Sequence, residues 1–292
     1  MSIKKSILGA GLIAVAALTG VAYAAGGKSD YKMEHVHWHF NGPFGTYDRA
    51  AMQRGFQVYR EVCAACHSLK FVSFRHLGDK GGPYYDKKYP NPNENPYVKN
   101  FAAEYDIRTV DGETGDEIDF DTRSFLTRPG IPADKFPPVF ANDTAAAASN
   151  GGAIPPELSA MVKARTGGAD YVYNLLTAYG LKPPKDLAIS EGSHYNPVME
   201  GGVIAMAAPL SDGQIVYEDV EYTDKDGNKQ IIKAPEATVE QMSKDVTEFL
   251  AWTADPKMEQ RKGAGAAVML YLLILTILTF LSYKTVWRNV KH

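Results

Sequence analysis

Cysteine is almost missing from this chain: its 292 residues hold two, Cys63 and Cys66. Two cysteines cannot staple a domain together, so a disulfide framework is excluded. Either the pair closes on itself or it is used for something else. No second cysteine or histidine pair has the pattern that a four-ligand zinc site needs beside C-x-x-C. Positive charge is in short supply as well, with 31 Lys and Arg against 34 Asp and Glu. Setting aside Lys4 and Lys5 at the start and Lys284, Arg288 and Lys291 at the end leaves 26 basic against the same 34 acidic residues, a balance of about −8. A surface of that sign argues against nucleic acid and for a basic partner. No internal repeat is present.

Two stretches lack charge altogether. Behind Lys4 and Lys5 an apolar run extends from Ile7 to Val21 and ends in Ala22-Tyr23-Ala24. A charged start, an apolar middle and small residues at the cleavage positions describe a signal peptide, residues 1–24. The second stretch, AGAAVMLYLLILTILTFLSY, covers 264–283 and has 20 residues without a charge. As a helix rising ~1.5 Å per residue it matches a hydrocarbon core of roughly 30 Å, so 263–284 is expected to be a transmembrane anchor. Lys257, Arg261 and Lys262 on one side balance Lys284, Arg288 and Lys291 on the other, so basic residues do not orient it. The signal peptide does: residues 25–262 are expected in the periplasm of a bacterial inner membrane, and 285–292 form a short basic cytoplasmic tail. Asp111, Glu113, Asp116, Glu117, Asp119 and Asp121 gather in the exported part, whereas 81–98 is rich in Pro, Gly and Asn and reads as an irregular excursion.

The two cysteines stand in CAACH, residues 63–67. Met52, Phe56, Tyr59, Val62, Cys63 and Cys66 recur at helical spacing, with Thr46 or Asp48 available as an N-cap. The motif therefore closes a helix, whereas a thioredoxin-like pair should open one after a strand. Attachment of haem c uses every residue of it. Two thiols form thioethers with the haem vinyl groups, and His67 ligates the iron from one face. A sixth ligand is then needed, or an open position. Among nine methionines, Met206 has the most suggestive setting, the charge-free GGVIAMAAPL, and Met199 is its rival. His35, His37 and His39 alternate in HVHWHF, so on a strand all three would share a face. Partial packing of that strand is a simpler reading than a metal site, and His76 and His194 read as lone structural histidines.

The sequence resembles the cytochrome c1 family, the haem subunits of ubiquinol–cytochrome c reductase. The resemblance rests on WHFNGPFGTYD (38–48), QRGFQVYREVCAACHSLKFVSFRHL (53–77), NGGAIPPELSAMVKAR (150–165), DYVYNLLTAYG (170–180), IAMAAPLSDGQIVYEDV (204–220) and ATVEQMSKDVTEFLAWTADPKMEQRK (237–262). It implies a mostly α fold, a class I cytochrome c-like haem domain with insertions on one C-terminal transmembrane helix. It also implies His67 and Met206 as iron ligands of a single haem c, with Pro155 and Pro156 against the haem and one of their carbonyls orienting His67. The implied partners are cytochrome b, the Rieske iron–sulfur protein and a soluble basic cytochrome c, in a dimeric membrane complex. The implied activity is one-electron relay, with no bond chemistry of the subunit's own. One departure stands out: Ala145 to Ala148 occupy the place where relatives often carry a propionate-binding arginine. Arg123, Arg128 and Arg165 are the candidates to replace it. A tethered cytochrome serving a terminal oxidase is an alternative of the same class. A peroxidase-like haem enzyme is one of another class and would need an open sixth position.

Overall fold

The computed structural model describes residues 31–289 apart from 113, 120, 121 and 224–228. The expected signal peptide therefore lies outside the described residues, as do Glu113 and Asp121 of the acidic run. Helices dominate, and strands occur only as four two-stranded antiparallel ladders among the described residues.

Two helices form the frame. α1, Arg49–Glu61, starts at Asp48, whose side chain accepts from the Ala51 N–H at 3.1 Å. This satisfies a backbone donor that a helix start leaves open. Met52, Phe56 and Tyr59 recur at helical spacing and are buried, so the periodicity places this face in the core. Four shorter helices follow along the chain: α2, Pro96–Ala103; α3, Asp143–Ser149; α4, Met161–Ala164; and α5, Gly168–Thr177. α6, Val239–Ala254, is the second frame helix, capped by Thr238 and buried through Met242, Val246, Phe249 and Trp252. It crosses α1 at Gly55. A Cβ there would meet the Asp245 carbonyl at 2.0 Å and the Phe249 Cβ at 2.8 Å. Glycine weakens a helix interior, so its place here reflects the close approach of the two backbones. One residue away, Arg54 grips Asp245 through Nε at 2.9 Å and a terminal nitrogen at 2.7 Å. Burial opposes the Arg54 charge, but bonding to that carboxylate holds the guanidinium above its ordinary value. Phe56 then meets Phe101, Phe136 and Phe249 at 5.1, 6.2 and 5.4 Å between centroids.

The ladders are excursions from this core. β1, Asp106–Arg108, pairs with β4, Thr127–Pro129, and inside them β2, Ile118–Asp119, pairs with β3, Ser124–Phe125. This nested hairpin carries the acidic run. β5, His194–Tyr195, pairs with β6, Val203–Ile204, just ahead of Met206, and β7, Val220–Thr223, pairs with β8, Lys229–Ile232.

The HVHWHF segment differs from expectation. It has no regular secondary structure, turns at His39 and Phe40, and joins no ladder. Side chains of α5 take its polar groups instead: Asp170 accepts from the Trp38 indole at 2.7 Å, the Val36 N–H at 3.3 Å and, on its other oxygen, His35 at 3.0 Å. His37 and His39 stack edge to face at 5.8 Å, and no metal-capable group of three or more His, Cys, Asp or Glu occurs among the described residues.

α7, Met258–Trp287, is 30 residues long with mean hydropathy 2.4 and nothing of its apolar window buried. It is the one helix among the described residues long and apolar enough to cross a membrane. It begins six residues before the apolar run, and its first turn is fastened to the domain: Glu259 accepts from the Tyr47 N–H at 2.9 Å, and Lys262 donates to the Phe40 and Gly45 carbonyls at 2.6 and 3.1 Å.

Where α1 begins, Glu248 is buried and accepts from the Asp48 N–H at 2.8 Å. A cavity of about 100 Å³ there is shared with Asp48, Arg54, Lys244, Asp245 and the rings of His37 and His39. Burial pushes the Glu248 carboxyl up to about 7; the Asp48 N–H works against the rise, and the Asp48 and Asp245 charges add to it. The folded state thus keeps a proton that the unfolded chain releases near the ordinary carboxyl value. This contribution is full below that value and is lost as pH rises through about 7. Glu248→Gln cannot ionise. Its stability relative to the parent should therefore grow by on the order of 3 kcal/mol between pH 4.5 and 8 in thermal unfolding. A difference independent of pH would show that Glu248 is ionised throughout.

Candidate functional site

The CAACH turn follows directly from α1. Val62 is the C-cap, and Cys63–Ala65 wind into one 3₁₀ turn. The Cys63 carbonyl accepts from both the Cys66 N–H at 3.1 Å and the His67 N–H at 2.9 Å. One tightened turn therefore sets both thiols and the imidazole. The thiols are not joined to each other, which removes the reading of a self-closed pair. Cys63 packs against the core beside Val62 and Ala64, whereas Cys66 is exposed. Burial pushes the Cys63 thiol up to about 12, so it is held protonated at neutral pH.

His67 is aimed from outside its own turn. Its Nδ1 lies 2.8 Å from the Pro156 carbonyl oxygen. A carbonyl only accepts, so Nδ1 carries the proton and Nε2 keeps a free lone pair. Burial holds the imidazole below its ordinary value, with the Pro156 bond acting the other way, so the ring is neutral at pH 7. The segment after Pro156 is stitched alongside. Leu158 donates to the Ser68 carbonyl at 3.0 Å, and the Phe71 N–H donates to the Ser159 hydroxyl at 3.3 Å. From below, the buried Tyr59 hydroxyl donates to the His67 carbonyl at 3.0 Å. Sequence spacing gave no sign of Tyr59, because its helical position fits core packing equally well.

Met206 sits half-buried in the bend after β6, and the Tyr179 hydroxyl donates to its carbonyl at 2.9 Å. No hydrogen-bond donor among the described residues reaches its sulfur. Met199 differs: the Tyr171 hydroxyl lies 3.7 Å from its sulfur. Of the three candidate arginines, Arg128 is committed to Asp134 through two bonds of 2.6 and 2.9 Å. That pairing holds the exposed guanidinium above, and the Asp134 carboxyl below, their ordinary ranges. Arg165 is exposed and bonds the neighbouring Ala164 carbonyl, and Arg123 is exposed with φ 56°.

This donor set fits a covalent haem: two free thiols and a neutral, oriented imidazole on one turn. Apolar side chains next to the site in the chain are left uncovered, Phe71 at 63% and Ile154 at 54% exposure. Their uncovered surface suits a large apolar ring better than water.

The sequence profile of the Cytochrome C1 family matches residues 38–290. This chain belongs to the cytochrome c1 family. A relative from Rhodospirillum rubrum, "Cytochrome c1", is 36% identical over 99% of this chain and 98% of its own length. The Saccharomyces cerevisiae "Cytochrome c1, heme protein, mitochondrial" is 40% identical over 87% of this chain and 72% of its own. The Bradyrhizobium diazoefficiens "Cytochrome b/c1" is 39% identical over 99% of this chain, which spans only 42% of that longer protein. Family membership implies a covalently bound haem c.

Removing the Tyr59 hydroxyl isolates its effect on the turn. Tyr59→Phe should cost about 1 to 2 kcal/mol in thermal unfolding, because the His67 carbonyl loses its internal donor. An unchanged melting temperature would show that solvent serves that carbonyl equally well.

Proposed function

We propose that the chain is a membrane-anchored monohaem cytochrome. In this reading it relays single electrons from a Rieske iron–sulfur protein to a soluble, basic c-type cytochrome within a dimeric ubiquinol–cytochrome c reductase. The observation that carries the reading is the neutral His67, oriented by Pro156 on the turn that offers two free thiols. Cys63 and Cys66 would hold one haem by thioethers, and His67 Nε2 would be one donor to its iron. The Met206 sulfur would be the other donor, in a half-buried loop steadied by Tyr179. Reversible one-electron exchange is the chemistry that haem c supplies when bound. The protein's part is to fix the ring covalently, hold the imidazole neutral and keep water from the thioether side. Met/His ligation suits a high potential, and a filled sixth position disfavours a peroxidase. Leu158, bonded to the Ser68 carbonyl, and Ser159, bonded to the Phe71 N–H, brace the segment that carries the Pro156 carbonyl and so act through His67. Pro155 and Pro156 would lie against the haem.

Association with a cytochrome b is supported by the Bradyrhizobium relative, whose name joins b and c1 in one protein. Residues 1–24 are assigned to a cleaved signal peptide, 25–262 to a periplasmic haem domain, 263–284 to the anchor and 285–292 to a cytoplasmic tail. Recovery of a cytochrome b and a Rieske protein with the detergent-solubilised chain would support this placement. Recovery of a terminal oxidase instead would contradict it.

The two methionines give a sharp test. Met206→Leu should lower the haem midpoint potential strongly and admit exogenous carbon monoxide or imidazole, because the iron loses its thioether. Met199→Leu should change neither, since the Tyr171 hydroxyl already engages that sulfur. A redox titration in which the two variants behaved the other way round would move the ligand to Met199.

Docking of the basic partner falls to the nested hairpin, where Glu117 is exposed and Asp116 half-buried. Opposite charges raise association rates by ~10- to 1,000-fold at low salt and fade beyond a Debye length of roughly 10 Å at 0.1 M. Electron transfer to the soluble cytochrome should therefore slow as ionic strength rises. Neutralising Asp116, Glu117 and Asp119 together should reduce both the rate and its salt dependence, with the haem spectrum and potential unchanged. Parental kinetics at low salt would place the steering charge elsewhere.

A further inference from the structure

At the end of α1 opposite the CAACH turn, a cavity of about 600 Å³ opens between the start of α1, the 84–87 loop, α2 and β7. Arg49, Gln53, Tyr84, Tyr85, Lys87 and Tyr97 supply most of its wall. Nothing in the haem function uses these residues. The Arg49 Nε and the Gln53 amide both donate to the Pro83 carbonyl, at 3.1 and 2.7 Å, so this side of the cavity is held in place. The Arg49 guanidinium also lies 5.9 Å from the centre of the Tyr85 ring. Among the described residues, no carboxylate pairs with Arg49 or Lys87. Asp86 also lines the cavity, and one of its oxygens accepts from the Lys88 N–H at 2.8 Å.

Both walls are tied to the first turn of α7. Tyr47, two residues before Arg49, donates its N–H to Glu259 at 2.9 Å. Lys80, a few residues before Tyr84, accepts from the Gln260 amide at 3.1 Å. With ~1.5 Å of rise per residue, Glu259 and Gln260 stand roughly 6 to 8 Å above the apolar run that starts at Ala264. A bilayer about 40 to 45 Å thick around a core of about 30 Å leaves headgroup layers of roughly 5 to 8 Å. The tethers therefore put the cavity's margin at headgroup depth. Phe44 supports that placement independently. It is 85% exposed, next to Gly45, whose carbonyl accepts from Lys262 at 3.1 Å, two residues before the apolar run. Tyrosines are favoured at this depth because their rings suit the apolar side and their hydroxyls the wet side.

We propose that this cavity seats the headgroup of a membrane phospholipid. Arg49 and Lys87 donate to the phosphodiester oxygens, the Arg fork and the Lys ammonium being the donors that such an anion takes. Tyr85 and Tyr97 flank the glycerol and its first methylenes, and the acyl chains run down beside α7.

The test uses the full, haem-loaded chain, purified in detergent and stripped of native lipid. Dihexanoyl phosphatidylglycerol, dihexanoylglycerol and inorganic phosphate are titrated separately by calorimetry. The phospholipid should saturate one site, and the other two compounds should bind at least tenfold more weakly. Arg49→Gln with Lys87→Gln should weaken the phospholipid at least tenfold, with the haem spectrum and melting temperature retained. Lys87→Gln alone, at an exposed position, should give part of that loss and keeps the test open if the double variant misfolds. Equal binding by parent and variants would overturn the proposal. Phosphate binding as tightly as the phospholipid would overturn it in favour of a soluble anion, and equal binding of the phosphate-free lipid in favour of an apolar groove.

Discussion

One hydrogen bond, from His67 Nδ1 to the Pro156 carbonyl at 2.8 Å, sets what the rest of the structure has to provide. It fixes the tautomer, holds the ring plane and leaves Nε2 as the donor atom. A bond between residues 89 apart in sequence survives only if both ends are held. One end is held by α1, whose last turn tightens into Cys63–Ala65, and by Tyr59 beneath His67. The other is held by the pairing of Leu158 with Ser68 and of Ser159 with Phe71. Proline suits the acceptor segment, because it lacks an N–H and its fixed φ narrows where its carbonyl can point.

Holding those ends is the work of the α1–α6 pair. The helices approach so closely at Gly55 that a methyl group there would overlap the Asp245 carbonyl, and Arg54 locks the crossing beside it. Breaking that buried ion pair by removing one partner would leave an uncompensated charge, at a cost of about 3 to 5 kcal/mol. The same frame reaches α7, the helix long and apolar enough to cross a membrane. α6 leads within a few residues into α7, whose first turn bonds back to Tyr47, Lys80, Phe40 and Gly45. The CAACH turn and α7 are therefore parts of one fastened body.

What the sequence made legible was local chemistry. The C-x-x-C-H spacing, the Asp48 cap, the core face of α1 and the charge-free run at 264–283 each depend on neighbours within a turn or two, or on length alone. The family resemblance added the mostly helical fold and pointed to the prolines beside His67. Long-range polar contacts stayed hidden. Tyr59 and Tyr179 look like core aromatics until their hydroxyls are seen to reach the His67 and Met206 carbonyls. The alternating histidines suggested a strand, but period-2 spacing describes only an extended backbone. Its hydrogen-bond partners turned out to be Asp170 and Asn174 of α5, more than 130 residues away, and no ladder formed. The functional signal in an alternating pattern depends on the far partner, which spacing does not encode.

The central claim is that the CAACH turn spends both thiols and His67 on one haem. The most direct test is the intact mass of the membrane-extracted chain, taken after denaturation and acid–acetone extraction, together with a count of alkylatable thiols. The account predicts one haem still attached and no free thiol at Cys63 or Cys66. A chain that loses its haem to the solvent and alkylates at both cysteines would contradict it.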